Sequence, residues 1–198
     1  MGVGLIVVLG KQGAGKGTQC TRLAERYGVP HVATGDMLRA AVRSGSDLGA
    51  KVKVLMDEGH LVPDDLITDV VASRLAEADA EKGAILDGYP RTEHQAFALE
   101  GIAGPRGIAR CIVLDVPTEM VIARLSARRV CANCGGAVVQ RADDVAEAIA
   151  ERLAAYEQET KPLLDHYEKR GLLSRVDGRG TFDEVFERLC DVIDAVHA

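Results

Sequence analysis

The sequence predicts an α/β fold in which a five-stranded, mostly parallel sheet carries helices on both faces, and three observations lead there. Short apolar runs alternate with longer amphipathic stretches along the whole chain, the pattern of repeated strand-helix-strand units. The longest of them, Leu5–Leu9 and Arg110–Val116, are mostly apolar, as strands covered on both faces require. Residues with evident chemistry fall just after the runs, at residues 10–18, at Thr34-Gly35-Asp36 and at Asp87-Gly88. Ligands of open parallel sheets bind there, beyond the carboxyl ends of the strands.

The elements follow in order. Leu5–Leu9 is an unbroken apolar run and reads as the first buried strand. A helix follows from Thr18 to Tyr27, with Leu23 and Ala24 on its apolar face. Strands are expected at His31–Thr34, Ala84–Asp87, Arg110–Val116 and Ser174–Asp177. Helices are expected at Asp64–Ala78, Thr92–Glu100 and Pro117–Ala127, then as one long helix over Asp143–Arg170, and at Phe182–Val196. Pro63-Asp64-Asp65, Pro117-Thr118-Glu119 and Asp143-Asp144 supply start signals: proline tolerates the first helical position, and acids complement the helix dipole. Two excursions interrupt the alternation. Residues 35–63 hold two short helices, and residues 128–143 hold an insert with glycines and cysteines; both read as flaps over the site. The core is then residues 1–34, 64–127 and 144–198.

Composition bounds the class. The 198 residues are 47% hydrophobic and 27% charged, enough for one well-buried domain. No run of ~18 apolar residues is present for a membrane span, and Leu5–Leu9 lacks the flanks of a signal peptide. A cytoplasmic protein without a membrane partner is expected. The net charge of −6 argues against nucleic acid. Against that acidic background, residues 124–142 carry Arg124, Arg128, Arg129 and Arg141 and no acid, the composition of a clamp on a polyphosphate. Five scattered cysteines do not make a disulfide framework. Cys20, Cys111 and Cys190 sit among apolar neighbours and read as core filling.

The most specific motif is Gly10-Lys11-Gln12-Gly13-Ala14-Gly15-Lys16-Gly17-Thr18, between the first strand and the first helix. Gly10, Gly13 and Gly15 let successive N–H groups turn inward at anionic oxygens. Lys16 adds a charge for the β and γ phosphates, and the helix N-terminus faces the same anion. Where nucleotide loops usually place a magnesium-binding hydroxyl there is Gly17, with the hydroxyl one residue later at Thr18. The ion is therefore expected to be held mainly by phosphate oxygens and water. Asp87, ending a strand too apolar to want a charge, would act near that Mg2+ through the water.

Five motifs in order give the chain a resemblance, from end to end, to the adenylate kinases among the nucleoside monophosphate kinases. They are the loop at Gly10 to Thr18; Thr34-Gly35-Asp36-Met37-Leu38-Arg39; Asp87-Gly88-Tyr89-Pro90-Arg91 with Gln95; Arg124 with Arg128 and Arg129; and Arg141 with Asp143, Asp144 and Arg152. The resemblance implies a three-layer sandwich like that of P-loop nucleoside triphosphate hydrolases, an AMP-binding flap at 35–63 and a short lid at 128–143. It implies transfer of the ATP γ-phosphoryl group to AMP, giving two ADP, with Mg2+ arriving on the nucleotide. Gly13, Ala14, Gly15, Lys16, Gly17, Thr18, Arg124, Arg128 and Gly180 would bind ATP, with Arg124 stacked on the donor adenine. Thr34, Arg39, Val62, Gly88, Arg91, Gln95, Arg141 and Arg152 would bind AMP. Lys16, Asp87, Arg91, Arg128, Arg141 and Arg152 would act on the transferring phosphates. Glu147, Glu151 and Glu159 also offer Arg152 ordinary ion pairs.

Phosphoryl transfer explains the arginines on its own terms, because it holds several negative charges in line and excludes water. The acceptor phosphate supplies the attacking oxygen, so no side chain need be a nucleophile. His31 and His94 are left as structural polar residues. The Gln95 amide is suited to the Watson-Crick edge of adenine. The related uridylate and cytidylate kinases tend to carry Ala at the Thr34 position and Asn near Gln95. A CMP or UMP kinase is the alternative within the enzyme class, and a catalytically weak nucleotide-binding assembly module the alternative outside it.

The chain departs from its family in two places. Gln12 stands where proline is usual. The insert carries one pair, Cys131-Ala132-Asn133-Cys134, where long-lid relatives carry two knuckles around one zinc. Two sulfurs make a poor site, so zinc within one chain is not expected. Three readings stay open: a tight turn with leftover thiols, zinc shared between chains of a homo-oligomer, or a redox pair. A monomer is the simplest expectation.

Overall fold

Gly4–Leu9 forms β1, and its side chains alternate between two apolar cores: Leu5, Val7 and Leu9 enter one, Ile6 and Val8 the other. The two-residue period of a strand causes this split, and with no polar position in the run both faces must be covered. The computed structural model describes residues 3–58, 60–126 and 146–196. Along them run α1 (Lys16–Tyr27), β2 (His31–Ala33), α2 (Thr34–Ser44), α3 (Asp47–Glu58), α4 (Asp64–Leu75), β3 (Gly83–Asp87) and α5 (Glu93–Ala103). Then come β4 (Ile108–Asp115), α6 (Thr118–Ser126), α7 (Ala146–Ala155), α8 (Pro162–Lys169), β5 (Leu173–Asp177) and α9 (Phe182–Asp194).

The five strands lie in the order β2-β3-β1-β4-β5, and every pairing is parallel. The chain winds from β1 out to β2 and back to β3, then crosses β1 to reach β4. Winding thus reverses beside β1, which opens a crevice at the carboxyl end of that strand. One face is covered by α1, α6 and α9 through Leu23, Val121, Leu125, Val185 and Leu189; the other by α4, α5 and α8 through Ile67, Val71, Leu99, Leu163 and Tyr167. This is the expected three-layer arrangement. No described helix is long and apolar enough to cross a membrane.

Two local expectations are corrected. Thr34 opens α2 and does not end β2. The long helix is broken: α7 ends at Ala155, a π turn spans Tyr156–Thr160, and α8 starts at Pro162. Pro162 has no N–H and its ring crowds the carbonyl four residues back, so a regular α-helix cannot run through it. The widened turn, with Lys161 N–H donating to the Tyr156 carbonyl at 2.8 Å, precedes it. At its end Thr160 donates its hydroxyl to the Arg91 carbonyl at 3.1 Å, which fixes the turn to the loop after β3. Residues 128–143 lie outside the described residues.

Candidate active site

The loop leaving β1 packs directly on α6. A Cβ on Gly13, whose φ is +81°, would lie 2.8 Å from Leu125 Cγ and 3.1 Å from Val121 Cγ1, so both the left-handed backbone and the close approach require glycine. Gly15 begins α1 without a side-chain cap, and the first N–H groups of that helix face the crevice. Lys16 folds over the loop, its Nζ donating to the carbonyls of Gly10 at 2.6 Å and Lys11 at 2.9 Å. Arg124 donates to the Ala14 carbonyl and to the Gly178 carbonyl, each at 3.2 Å, and so ties the β1 loop to the loop after β5. In that second loop Thr181 and Glu184 form a capping box that starts α9.

Asp87 ends β3. A Cβ on Gly17 would lie 3.5 Å from its Oδ2, so the position that lacks the usual hydroxyl is beside this carboxylate. Burial works against ionisation of Asp87, but His31, Lys16 and Arg91 together hold its carboxyl below the ordinary value. The group is a carboxylate at neutral pH.

A second group of residues gathers where α2 starts next to the β3–α5 loop. Thr34 donates its hydroxyl to the Gly88 carbonyl at 2.9 Å, and Arg91 Nε donates to the same carbonyl at 2.9 Å. Gly88 has φ +80°, and a Cβ there would lie 2.9 Å from the Arg91 guanidinium and 3.0 Å from Thr34 Oγ1; the three residues interlock only because it is glycine. Burial lowers the Arg91 pKa; Asp87 opposes that, and the nearby Arg152 and Arg39 add to it. Guanidiniums that destabilise one another's charge are a site for a multiply charged anion. Arg39 is held by Asp36, at 2.6 Å. Arg152 reaches the Met56 carbonyl of α3 at 3.1 Å.

The Gln95 amide is buried and locked. Its Oε1 accepts from the Arg91 N–H at 2.7 Å, and its Nε2 donates to Asp64 Oδ1 at 2.6 Å. Asp64 Oδ2 accepts from Thr92 Oγ1 at 2.7 Å, and Thr92 caps α5 by accepting from the Gln95 N–H. These bonds decide which way the amide points and leave it one N–H and one lone pair. Sequence reasoning took Asp64 only as a helix-start signal. Its contact with Gln95 crosses from α4 to α5, and no local spacing announces it.

Both groups line one cleft of about 610 Å³. Gly13, Ala14, Gly15, Lys16, Gly17, Thr18, Arg124 and Gly180 line it on the side of the β1 loop; Thr34, Arg39, Val62, Gly88, Arg91, Gln95 and Arg152 line the rest, with Asp87 between. Arg128, Arg141, Cys131 and Cys134 lie outside the described residues. Two further residues escaped the sequence reading. Gln19 is buried and donates to the Phe182 carbonyl at 3.0 Å, holding α1 to α9. His31, read as merely structural, has its Nε2 3.5 Å from Asp87 Oδ2.

A parallel sheet with a glycine-rich loop and a lysine at its switch point, facing an arginine cluster across the same cleft, defines a P-loop protein built for two anionic ligands. The family model for adenylate kinase matches residues 8–172. An adenylate kinase of Methanosarcina acetivorans is 45% identical over an alignment 205 positions long, covering 93% of this chain and 95% of the relative. One of Thermodesulfovibrio yellowstonii is 41% identical over 211, covering 96% and 98%. One of Kosmotoga olearia is 42% identical over 206, covering 93% and 96%. The chain belongs to the adenylate kinase family, the phosphotransferases among the nucleoside monophosphate kinases.

Proposed function

We propose that this chain carries the ATP γ-phosphoryl group reversibly to AMP, giving two ADP. One observation carries the reading: a phosphate loop with Lys16, and a cluster of Arg39, Arg91 and Arg152 beside a locked Gln95, share one cleft with Asp87 between them. A binder of one nucleotide has no use for the second cluster.

The β1 loop, Lys16 and the α1 N-terminus take the β and γ phosphates of ATP, with Arg124 and Gly180 beside the donor base. Arg39, Arg91 and Arg152 take the AMP phosphate. Thr34 has given its hydroxyl proton to Gly88, so it faces the acceptor base as a hydrogen-bond acceptor, and Gln95 offers one donor and one acceptor beside the apolar Val62. An oxygen of the AMP phosphate attacks the γ-phosphorus in line while the bond from that phosphorus to the β-phosphate oxygen breaks. The arginines and Lys16 neutralise the charge that builds on the oxygens, and positioning supplies much of the remaining acceleration.

The carboxylate beside Gly17 fits a nucleotide-borne Mg2+ held through water, with Asp87 as the group that orients that water. When bound, Mg2+ polarises the phosphoryl oxygens. We further propose residues 35–63 as the AMP-binding flap and 128–143 as a shortened lid. By family resemblance, Arg128 and Arg141 clamp the transferring phosphates from that lid.

Turnover with ATP against AMP, CMP, UMP and GMP tests this. AMP is expected to be strongly preferred. Preference for CMP or UMP would overturn the base assignment, and no turnover with any acceptor would reduce the cleft to a binding module.

A further inference from the structure

Where β2 and β3 run beneath α1, Cys20, His31 and Asp87 converge. One sulfur, one imidazole nitrogen and one carboxylate oxygen lie within 4.8 Å of one another. Three separate elements supply them, and the proposed reaction uses only Asp87.

Hydrogen-bond accounting shows what these atoms present to each other. Thr21 Oγ1 donates its single proton to the Gly17 carbonyl at 3.0 Å. The same oxygen lies 3.3 Å from His31 Nδ1, and accepts from it when the ring proton is on Nδ1. Nε2 lies 3.5 Å from Asp87 Oδ2, and a cation between the two would take the place of the ring proton that favours the Asp87 carboxylate. Nε2 is buried and has no hydrogen-bond partner among the described residues. An imidazole nitrogen, a carboxylate and a fully buried thiol thus lie close enough together for one ion to reach all three. Lys16 and Arg91 offset the charge of Asp87, but a buried ring nitrogen without a hydrogen-bond partner is unfavourable, and a cation joining it to the sulfur and the carboxylate would satisfy it.

We infer that Cys20, His31 and Asp87 form a binding site for a thiophilic divalent cation of the zinc, cobalt and cadmium class. Mixed sulfur, nitrogen and oxygen donors suit such ions in tetrahedral geometry, whereas Mg2+ demands an oxygen octahedron. Asp87 lines the cleft, which gives the ion an entry path and a water as fourth ligand. Thr21 is placed to accept from an Nδ1–H, as outer partners of ligating histidines do. On binding, the S–H bond of Cys20 breaks, a sulfur-metal bond forms, and the proton leaves to solvent; no electron is transferred. Because the ion takes Asp87, it inhibits phosphoryl transfer. That consequence rests on the role proposed for Asp87, while the binding does not.

Titration of the full chain carrying Cys131→Ser and Cys134→Ser with Co2+ tests the site without the cysteine pair of the insert. The expected result is one equivalent of cobalt with tetrahedral d–d bands and a thiolate-to-cobalt charge-transfer band. Adding Cys20→Ala abolishes the charge-transfer band, and adding His31→Gln weakens binding about tenfold or more. Cys20→Ala removes only a sulfur from an apolar pocket, and its turnover with ATP and AMP reports that it is folded. Absence of the charge-transfer band in the starting protein, or its survival in Cys20→Ala, overturns the site. Cd2+ is expected to inhibit the starting protein and to inhibit Cys20→Ala about tenfold less. Cobalt bound through Cys20 without inhibition of turnover leaves the metal site standing and removes Asp87 from the reaction.

Discussion

The two sides of the cleft are built on different plans. The β1 loop side is built on nine consecutive residues running from β1 into the first turn of α1. It offers mainly backbone N–H groups, with Lys16 as the lysine that lines the cleft and Arg124 and Gly180 at its border. The opposite side draws Thr34 and Arg39 from α2, Asp64 from α4, Gly88 and Arg91 from the β3–α5 loop, Gln95 from α5 and Arg152 from α7. It offers side chains almost exclusively. A backbone cradle binds any polyphosphate that reaches it, whereas a side-chain cluster with a locked amide selects one base. Under the proposed function, chemistry common to many nucleotides falls on the locally encoded side, and substrate choice on the side that tertiary packing assembles.

The sharpest way to break that contrast is to remove the lysine that the β1 loop side turns into the cleft. Lys16→Met is expected to lower kcat about 1,000-fold, the scale on which a preorganised charge at the reacting centre acts. Steady-state rates at saturating ATP and AMP measure it, and a loss confined to KM would make Lys16 a ground-state binder only. Arg91→Ala is expected to cost about 100-fold in kcat/KM for AMP, less because Arg39 and Arg152 stand beside it and partly cover its loss. An effect as large on the ATP KM would mean that the two sides do not act separately.

How much of this was legible in the sequence follows the same division. Gly10 to Thr18 announces itself because glycine spacing, lysine and helix start are all local, and the alternating cores of β1 follow from a two-residue period. Arg39, Arg91, Gln95 and Arg152 carry no such mark, and only the resemblance to a family set them together. Asp64 was visible as a helix-start acid and invisible as the partner of Gln95, since that bond joins residues 31 apart. The broken helix at Pro162 was readable from one residue and was overridden by the amphipathic spacing on either side. His31 and Cys20 each look ordinary in sequence, and their meeting with Asp87 depends on strand pairing of β2 with β3 and on α1 lying over both.

Arg124 sits at the seam between local and assembled structure, since it binds one carbonyl of the β1 loop and one of the loop after β5. Replacing it with Lys keeps the charge but loses the fork that spans both carbonyls and the planar face. The ATP KM is expected to rise about 30-fold, on the order of 2 kcal/mol for a partly desolvated cation-π contact with its hydrogen bonds, while the AMP KM stays within about twofold. An unchanged ATP KM would take Arg124 away from the donor base and leave it as a tie between two loops.

The smallest effect, and the most discriminating, belongs to Asp64. It never touches the reacting atoms, and its two oxygens hold Gln95 Nε2 and Thr92 Oγ1 at 2.6 and 2.7 Å. Asp64→Ala leaves both donors without that acceptor, and the Gln95 amide is then held by the Arg91 N–H alone. Loss of an orienting hydrogen bond of about 1 kcal/mol predicts an AMP KM raised about fivefold, with the ATP KM and kcat little changed. The preference for AMP over CMP narrows by a similar factor, because a more loosely held amide matches adenine less well. Asp64→Asn restores most of the loss, since its carbonyl oxygen still accepts from Gln95 and its amide nitrogen donates to Thr92. A merely structural Asp64 would lower the melting temperature and leave the AMP-to-CMP ratio where it was. Movement of that ratio without movement of the ATP KM therefore ties base selection to the assembled side of the cleft.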